Sequence, residues 1–480
     1  MNRPIARLFV LVLVMFGALV AYTSRWSVFD ASALQDNKLN ARTLLETQNI
    51  QRGTIYAADS SVIADAVRGS EGIYVRRYPF GSLFAVPVGY SFPDEGSVGL
   101  EAYDGSLLAG TPLDHESIVD QLEGHQSGGD SVYTTLDPSA QQVALQALEA
   151  RGHTGAVVAI TPSSGAIRVF ATNPTFNPSL IPRASYRRSL LTDSRGPEFD
   201  RVTQAQDYPG SIQKVVTAVA AIDSGKFTPE TLVNGNSPQT FEGIPLHNDG
   251  DMSYGNITLT DALTQSVNTV YANVAQDLGP TILAKYMSRL GYYRDPPIDL
   301  PSDELAPSGV RDNKGNLVPV ADSDVPLVGI GEGELDVTPL QMVMVAAAVA
   351  NGGKLMRPYL TQKVVNADGV TVQRTTPSLF STVMKPSTAT AVTTMMEGVV
   401  QDGTAEHALA GFNITPIAGK TGTAELGNST NSPNDAWFIA FAPGKDIAVA
   451  VVVEKTYDYG ASAAAPIARD VLESLVGASG

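Results

Sequence analysis

The longest unbroken apolar run in the chain is its first, residues 8–22, which carries no charge. Fifteen residues fall somewhat short of the ~20 that cross a bilayer, and Thr23 and Ser24 extend the run. Arg3 and Arg7 precede it, an asymmetry that keeps the N-terminus in the cytoplasm, and Trp26 suits the far interface. A cleaved leader would end in a small-x-small site. Residues 18–24 hold no clean one, so residues 1–24 are expected to form a cytoplasmic tip and an uncleaved signal-anchor transmembrane helix. The rest of the chain then lies outside the cytoplasm, held by a single pass.

Beyond the anchor the pattern shifts to short strand-like runs broken by glycine. Residues 25–133 read as turn-bounded strands with one short helix, ending in a Gly- and Ser-rich linker at 126–130. Asp137 and Pro138 then open an amphipathic helix, as cap and first-turn residue. Runs at 156–160 and 166–171, joined by Pro162-Ser163-Ser164-Gly165, predict a hairpin. Residues 173–207 are polar and loop-like, and 224–252 irregular. Between them the Ala-rich run after Lys214 predicts a buried helix. Residues 257–275 predict helix on either side of Ser266. Thr338 caps a helix through Val349 that Asn351-Gly352-Gly353 ends, and another helix covers 388–400. Strands at 420–423, 435–442 and 447–454, the last two joined by Pro443-Gly444-Lys445-Asp446, and a helix at 465–476 close the chain. A hairpin early, a meander late and helices between describe an α+β domain.

At 480 residues the chain exceeds what one hydrophobic core usually supports, so at least two domains are expected. Its 43% hydrophobic and 17% charged residues are those of a folded protein. The net charge of −17 argues against a nucleic-acid partner. Cysteine is absent and the five histidines are scattered, so neither disulfide, metal nor cofactor is expected. The glycine turn at 329–333 lacks the lysine and preceding strand of a phosphate-binding loop.

The chemistry is organised around Tyr208-Pro209-Gly210-Ser211-Ile212-Gln213-Lys214. Pro209 and Gly210 break what precedes them, which puts Ser211 in the first turn of the helix with Lys214 three residues on. Side chains at that spacing share a helix face, with Cβ atoms roughly 5–6 Å apart. A serine hydroxyl needs a neighbouring base to become a nucleophile, and a lysine serves once burial or nearby positive charge lowers its pKa. One such pair arises easily by chance in a chain this long. Here it is the single Ser-x-x-Lys, and Ser266-Val267-Asn268 and Lys420-Thr421-Gly422-Thr423 follow it in order.

These three elements resemble the signature of penicillin-binding proteins and class A β-lactamases. Two stretches nearer the N-terminus, Gln51-Arg52-Gly53-Thr54-Ile55 and Gly96-Ser97-Val98-Gly99-Leu100-Glu101, are similar to the N-terminal motifs of class B penicillin-binding proteins. Ala58-Asp59-Ser60-Ser61 departs from that family's common Asp-Arg-Asn-Gly turn, and Arg52 and Glu101 read as structural. The resemblance covers almost the whole chain from Arg25, and the compact length resembles the short penicillin-binding protein A type of actinobacteria. It implies a serine D,D-peptidase/β-lactamase-like fold, a five-stranded antiparallel sheet covered by helices, over residues 134–480. An elongated N-terminal pedestal and interaction module would fill 25–133.

The implied activity is D,D-transpeptidation of peptidoglycan stem pentapeptides through an acyl-serine, inhibited covalently by β-lactams. Ser211 would be the nucleophile, Lys214 its base and Ser266 the proton relay. Asn268 would bind the substrate amide and hold Lys214. Lys420 would keep the site positive, and Thr421 and Thr423 would bind the terminal carboxylate. Gly422 would let substrate lie close to the strand edge, and the Ser211 and Thr423 amides would form an oxyanion hole. A SEDS-family glycan polymerase is the implied membrane partner. A D,D-carboxypeptidase or β-lactamase using water, a β-lactam-sensing receptor and an inactive scaffold are the alternatives. Of the glutamates, only Glu425 adjoins a motif.

Overall fold

The computed structural model describes residues 3–25, 51–69, 72–109, 128–409, 416–427 and 432–477. Trp26 and the first part of the expected 126–130 linker lie outside them. Helix α1, Arg3–Ser24, holds an 18-residue window apolar enough to cross a membrane, none of it buried against the protein.

Strands β1 (Ile55–Tyr56), β2 (Val62–Arg68), β3 (Tyr74–Arg77) and β4 (Ser131–Thr134) form the N-terminal part of a six-stranded sheet. Three short helices, Ala85–Val88, Leu100–Tyr103 and Gly105–Ala109, accompany them where the sequence suggested one. Helix α2, Pro138–Glu149, begins as expected: the Asp137 carboxylate accepts the N–H groups of Ser139 and Ala140. The predicted hairpin follows as β5 (Thr154–Thr161) and β6 (Ala166–Asn173). Residues 173–207, expected as loop, contain the helices Ala184–Thr192 and Arg201–Gln204. Their polar faces gave no hydrophobic period, and the second is held by an Asp200 cap accepting from Val202 and Thr203 N–H.

A 3-10 turn, Gly210–Gln213, leads into α3, Lys214–Asp223, which is buried along nearly its whole length. Residues 224–252 hold short strands at Leu232–Asn234, Gln239–Phe241 and Ile244–Leu246, too brief to mark the sequence. Helices α4 (Leu259–Thr264) and α5 (Asn268–Leu290) flank Ser266, and α6 (Val325–Ile330) packs against α5. Helix α7, Pro339–Ala350, is apolar all round because it is buried all round. Strands β7 (Thr361–Val365) and β8 (Thr371–Arg374) are absent from the sequence expectation; β7 pairs back onto β4 and β8 onto β7, giving the order β8-β7-β4-β1-β2-β3. The six-stranded sheet therefore joins the N-terminal segment to the middle of the chain.

Helix α8 (Pro386–Gln401) precedes the closing meander β9 (Ala418–Glu425), β10 (Asn434–Phe441) and β11 (Ala448–Thr456), and α9 (Gly460–Ala463) and α10 (Ala465–Gly477) end the chain. The five-stranded sheet has the order β9-β10-β11-β5-β6, antiparallel throughout. Helices α2 and α10 pack together on it, and α7 packs on β5, β10 and β11. Strand β9 is an edge, and the turn before α3 lies along it.

Candidate active site

Three segments distant in sequence, 211–214, 266–268 and the strand that holds Lys420, meet around the Lys214 amine. Its Nζ donates to Ser211 Oγ at 2.9 Å, to the Ser266 carbonyl oxygen at 2.7 Å and to Asn268 Oδ1 at 2.5 Å, with Ser266 Oγ at 3.3 Å. Lys420 Nζ donates to the same Ser266 Oγ at 2.9 Å and to the Thr421 carbonyl oxygen at 3.0 Å. Ser266 Oγ thus stands between the two amines. All five residues expected to carry the catalysis are brought together.

Ser266 reaches this position through an unusual backbone. It lies between α4 and α5 with φ +57°, a left-handed conformation that only a few per cent of non-glycine residues adopt. Its carbonyl and hydroxyl oxygens both face Lys214 as a result. Asn268 Nδ2 donates to the His247 carbonyl oxygen at 3.0 Å, which fixes the amide so that Oδ1 meets the lysine.

Both lysines are 0% exposed. Burial pulls Lys214 down from the ordinary ammonium range to about 7, against the opposing charges of Glu332 and Asp249. Burial, and then the charge of Lys214, push Lys420 well below its ordinary range. Two ammonium groups bridged by one hydroxyl repel each other with little solvent to screen them, so a neutral amine in the pair is favoured.

Strand β9 presents the remaining expected residues. Thr421 Oγ1 lies 2.6 Å from Thr404 Oγ1, and Thr423 Oγ1 accepts the Gly460 N–H at 3.2 Å. Gly422 also has a reason within the protein itself. A Cβ there would stand 2.8 Å from the Pro209 carbonyl oxygen, 3.0 Å from Ile212 and 3.1 Å from Trp437. It would collide with the nucleophile turn and β10, so the glycine lets the Ser211 segment dock on the strand. A Cβ on Gly210 would in turn meet the Thr423 carbonyl oxygen at 2.8 Å. Trp437 Nε1 donates to the Tyr208 carbonyl oxygen at 2.9 Å and ties the turn to the sheet.

Sequence reasoning missed the residues that border the motifs. Thr404 and His247 have no local signal. Glu332 had a partial one, since it lies in the Gly-rich turn after α6. The Gly331 carbonyl oxygen accepts the Gly210 N–H at 2.9 Å, and the Glu332 carboxylate and Lys214 act on each other electrostatically. Among the described residues no group of His, Cys, Asp or Glu is arranged to hold a metal.

Comparison with known proteins fits this geometry. A family profile described as penicillin binding protein transpeptidase domain matches residues 155–473, and one described as penicillin binding protein A dimerisation domain matches residues 52–132. The chain is 31% identical to the peptidoglycan D,D-transpeptidase PbpA of Mycolicibacterium smegmatis and 29% identical to that of Mycobacterium tuberculosis, each across 99% of both chains. It superposes on the ceftriaxone acyl-enzyme complex of M. tuberculosis penicillin-binding protein A with a TM-score of 0.81 at 28% identity, over 90% of this chain and 100% of that one. The chain belongs to the penicillin-binding protein transpeptidase family.

Proposed function

We propose that the protein cross-links peptidoglycan as a D,D-transpeptidase and that Ser211 carries the acyl group. The observation that carries this reading is the 2.9 Å hydrogen bond between Ser211 Oγ and a fully buried Lys214 whose pKa is lowered to about 7. An amine tuned to that range is free base for much of the time at neutral pH, as a general base must be.

In acylation Lys214 takes the Ser211 hydroxyl proton while Oγ attacks the carbonyl of the penultimate D-alanine. The oxyanion forms between the backbone N–H groups of Ser211 and Thr423. Ser266, hydrogen-bonded to both lysines, passes the proton from Lys214 to the departing amine, and D-alanine leaves. Asn268 holds Lys214 with Oδ1 and binds the substrate amide. Thr421 and Thr423 receive the terminal carboxylate. That anion draws the proton held by the lysine pair toward Lys420, so the site becomes positive where the carboxylate lies and Lys214 stays basic.

The alternative, a hydrolase using the same serine, requires water to be activated beside the ester. Glu425, at the far end of β9, is exposed, and no contact ties it to Ser211. We also read residues 25–133 as the pedestal and interaction module, 134–480 as the catalytic domain and α1 as a single-pass anchor. With Arg3 and Arg7 in the cytoplasm, catalysis takes place outside the membrane, beside a SEDS-family polymerase. Mass spectrometry after exposure to benzylpenicillin tests the core of this reading. A penicilloyl adduct on Ser211 that persists for many minutes, and none in Ser211→Ala, is expected; an adduct lost within seconds with continuing turnover would falsify it.

A further inference from the structure

Glu332 lies outside the three motifs, and nothing in the acylation half-reaction employs it. Its neighbour Gly331 is pressed on the nucleophile turn: a Cβ there would stand 1.9 Å from the Gly210 carbonyl oxygen. From the other side the Glu332 N–H donates to the Leu327 carbonyl oxygen at 3.0 Å, anchoring the residue to α6. The backbone at 332 is therefore fixed against the segment that carries Ser211. Its carboxylate lies within electrostatic range of Lys214, each charge acting on the other, and Glu425 acts on it from the end of β9. Unlike the two lysines, Glu332 remains open to solvent. A carboxylate reachable from outside, carried on backbone that abuts the Ser211 turn and coupled in charge to Lys214, is suited to the second substrate.

The second half-reaction needs such a group. The acceptor is a primary amine that arrives protonated, its ordinary pKa being ~10.4, and an ammonium has no lone pair with which to attack. Lys214, fully buried and bound to Ser211, Ser266 and Asn268, has no direct route for passing an extra proton to water. We propose that Glu332 is the acceptor-side catalytic residue, binding the ammonium of the incoming stem peptide and taking its first proton. The neutral nitrogen then attacks the acyl-Ser211 carbonyl carbon. The new C–N bond forms, the ester C–O bond breaks, and the second amine proton passes through Ser266 and Lys214 to Ser211 Oγ. Glu332 returns its proton to water, and no other reactant is required. Partial loss of hydration raises the Glu332 carboxyl above its ordinary range, with Lys214 opposing and Glu425 adding to the rise, which narrows its gap to the ammonium.

The inference rests on the transpeptidase reading, and its test separates the two. The full-length protein in detergent is given a benzoyl-D-alanyl thioester as donor and D-alanine as acceptor amine, and the aminolysis and hydrolysis products are quantified. Acylation by a fluorescent penicillin is measured in parallel. In Glu332→Gln the ratio of aminolysis to hydrolysis falls at least tenfold, the KM for D-alanine rises, and any fall in penicillin acylation is much smaller. Glu332→Asp recovers part of the aminolysis. An unchanged ratio overturns the proposal. So does an equal fall in acylation and aminolysis, which would mean that Glu332 acts only on Lys214 or on folding. A loss of hydrolysis alone would assign the carboxylate to water. Failure of the parent protein to acylate at all would instead reject the transpeptidase reading itself.

Discussion

A lysine acts as a base only when deprotonated, so the lowered pKa of Lys214 fixes the direction of the pH dependence in the proposed acylation. With that value at about 7, acylation by penicillin should rise from pH 6 to 8 and then level. A lysine left near its ordinary ~10.4 would still be climbing at pH 9, and stopped-flow acylation distinguishes the two. Lys214→Arg retains the charge and cannot deprotonate in this range; acylation should drop by orders of magnitude in a protein that still folds, and a parental rate would remove Lys214 as the base. Gly331 makes a separate point. Its φ of +85° and the 1.9 Å approach of a Cβ to the Gly210 oxygen mean that Gly331→Ala must move the Ser211 turn. A displacement near 1 Å costs about a hundredfold in rate. Acylation kinetics should show such a loss while circular dichroism remains native.

The short helix Leu100–Tyr103 is fixed by the charge it buries. Glu101, 0% exposed, accepts Arg52 Nε at 2.8 Å, Arg76 Nε at 2.5 Å and the Tyr78 hydroxyl at 3.1 Å. Arg76 also donates to the Gly53 carbonyl oxygen at 2.7 Å, linking the two N-terminal motifs through one carboxylate. The paired guanidinium groups outweigh burial and hold Glu101 below the ordinary carboxylate range. Glu101→Gln leaves two arginines without their counter-charge, and breaking such a buried network costs about 3–5 kcal/mol. Denaturant unfolding should register that loss at neutral pH. The sign follows from the depressed pKa: the stabilisation is full above the unfolded-state pKa and fades as pH falls through the folded one. Parent and variant should therefore converge in acid, and equal stabilities at pH 7 would contradict the assignment.

At the level of the whole molecule, the six-stranded sheet runs across the division expected at residue 133. Strand β4 pairs with β1 on one side and β7 on the other. Further ties cross the same seam: Thr361 Oγ1 donates to Asp104 Oδ2 at 2.7 Å, and both Glu304 carboxylate oxygens accept the Gly99 N–H at 3.1–3.2 Å. Removing residues 25–133 takes three of the four residues of β4 and uncovers the edge of β7, which invites edge-to-edge association. We expect that deletion to abolish co-purification with the proposed membrane polymerase. The remaining catalytic part should keep penicillin binding while aggregating more readily than a version beginning at residue 128. Light scattering and fluorescent penicillin labelling together check this, and equal solubility of the two forms would refute it.

The three motifs, their order and the apolar anchor could be read directly from the chain, because each depends on residue type and local spacing. Ser211 and Lys214 are three apart on one turn, and no fold is needed to see that they can meet. The α+β class was legible for the same reason: the periods of α2, β5, β6, β10, β11 and α10 are properties of contiguous sequence. Strands β7 and β8 were not legible, since β8 is exposed along its whole length and belongs to a sheet only through its partners. The role of Gly422 also required the fold, because the atoms that exclude a side chain there come from Pro209, Ile212 and Trp437. The lowered pKa of Lys214 depends on burial, which the folded chain alone supplies. Glu332 is the clearest case: its spacing from Ser211 and from Lys420 carries no local information, and only the packing of α6 against the nucleophile turn brings its charge to the base.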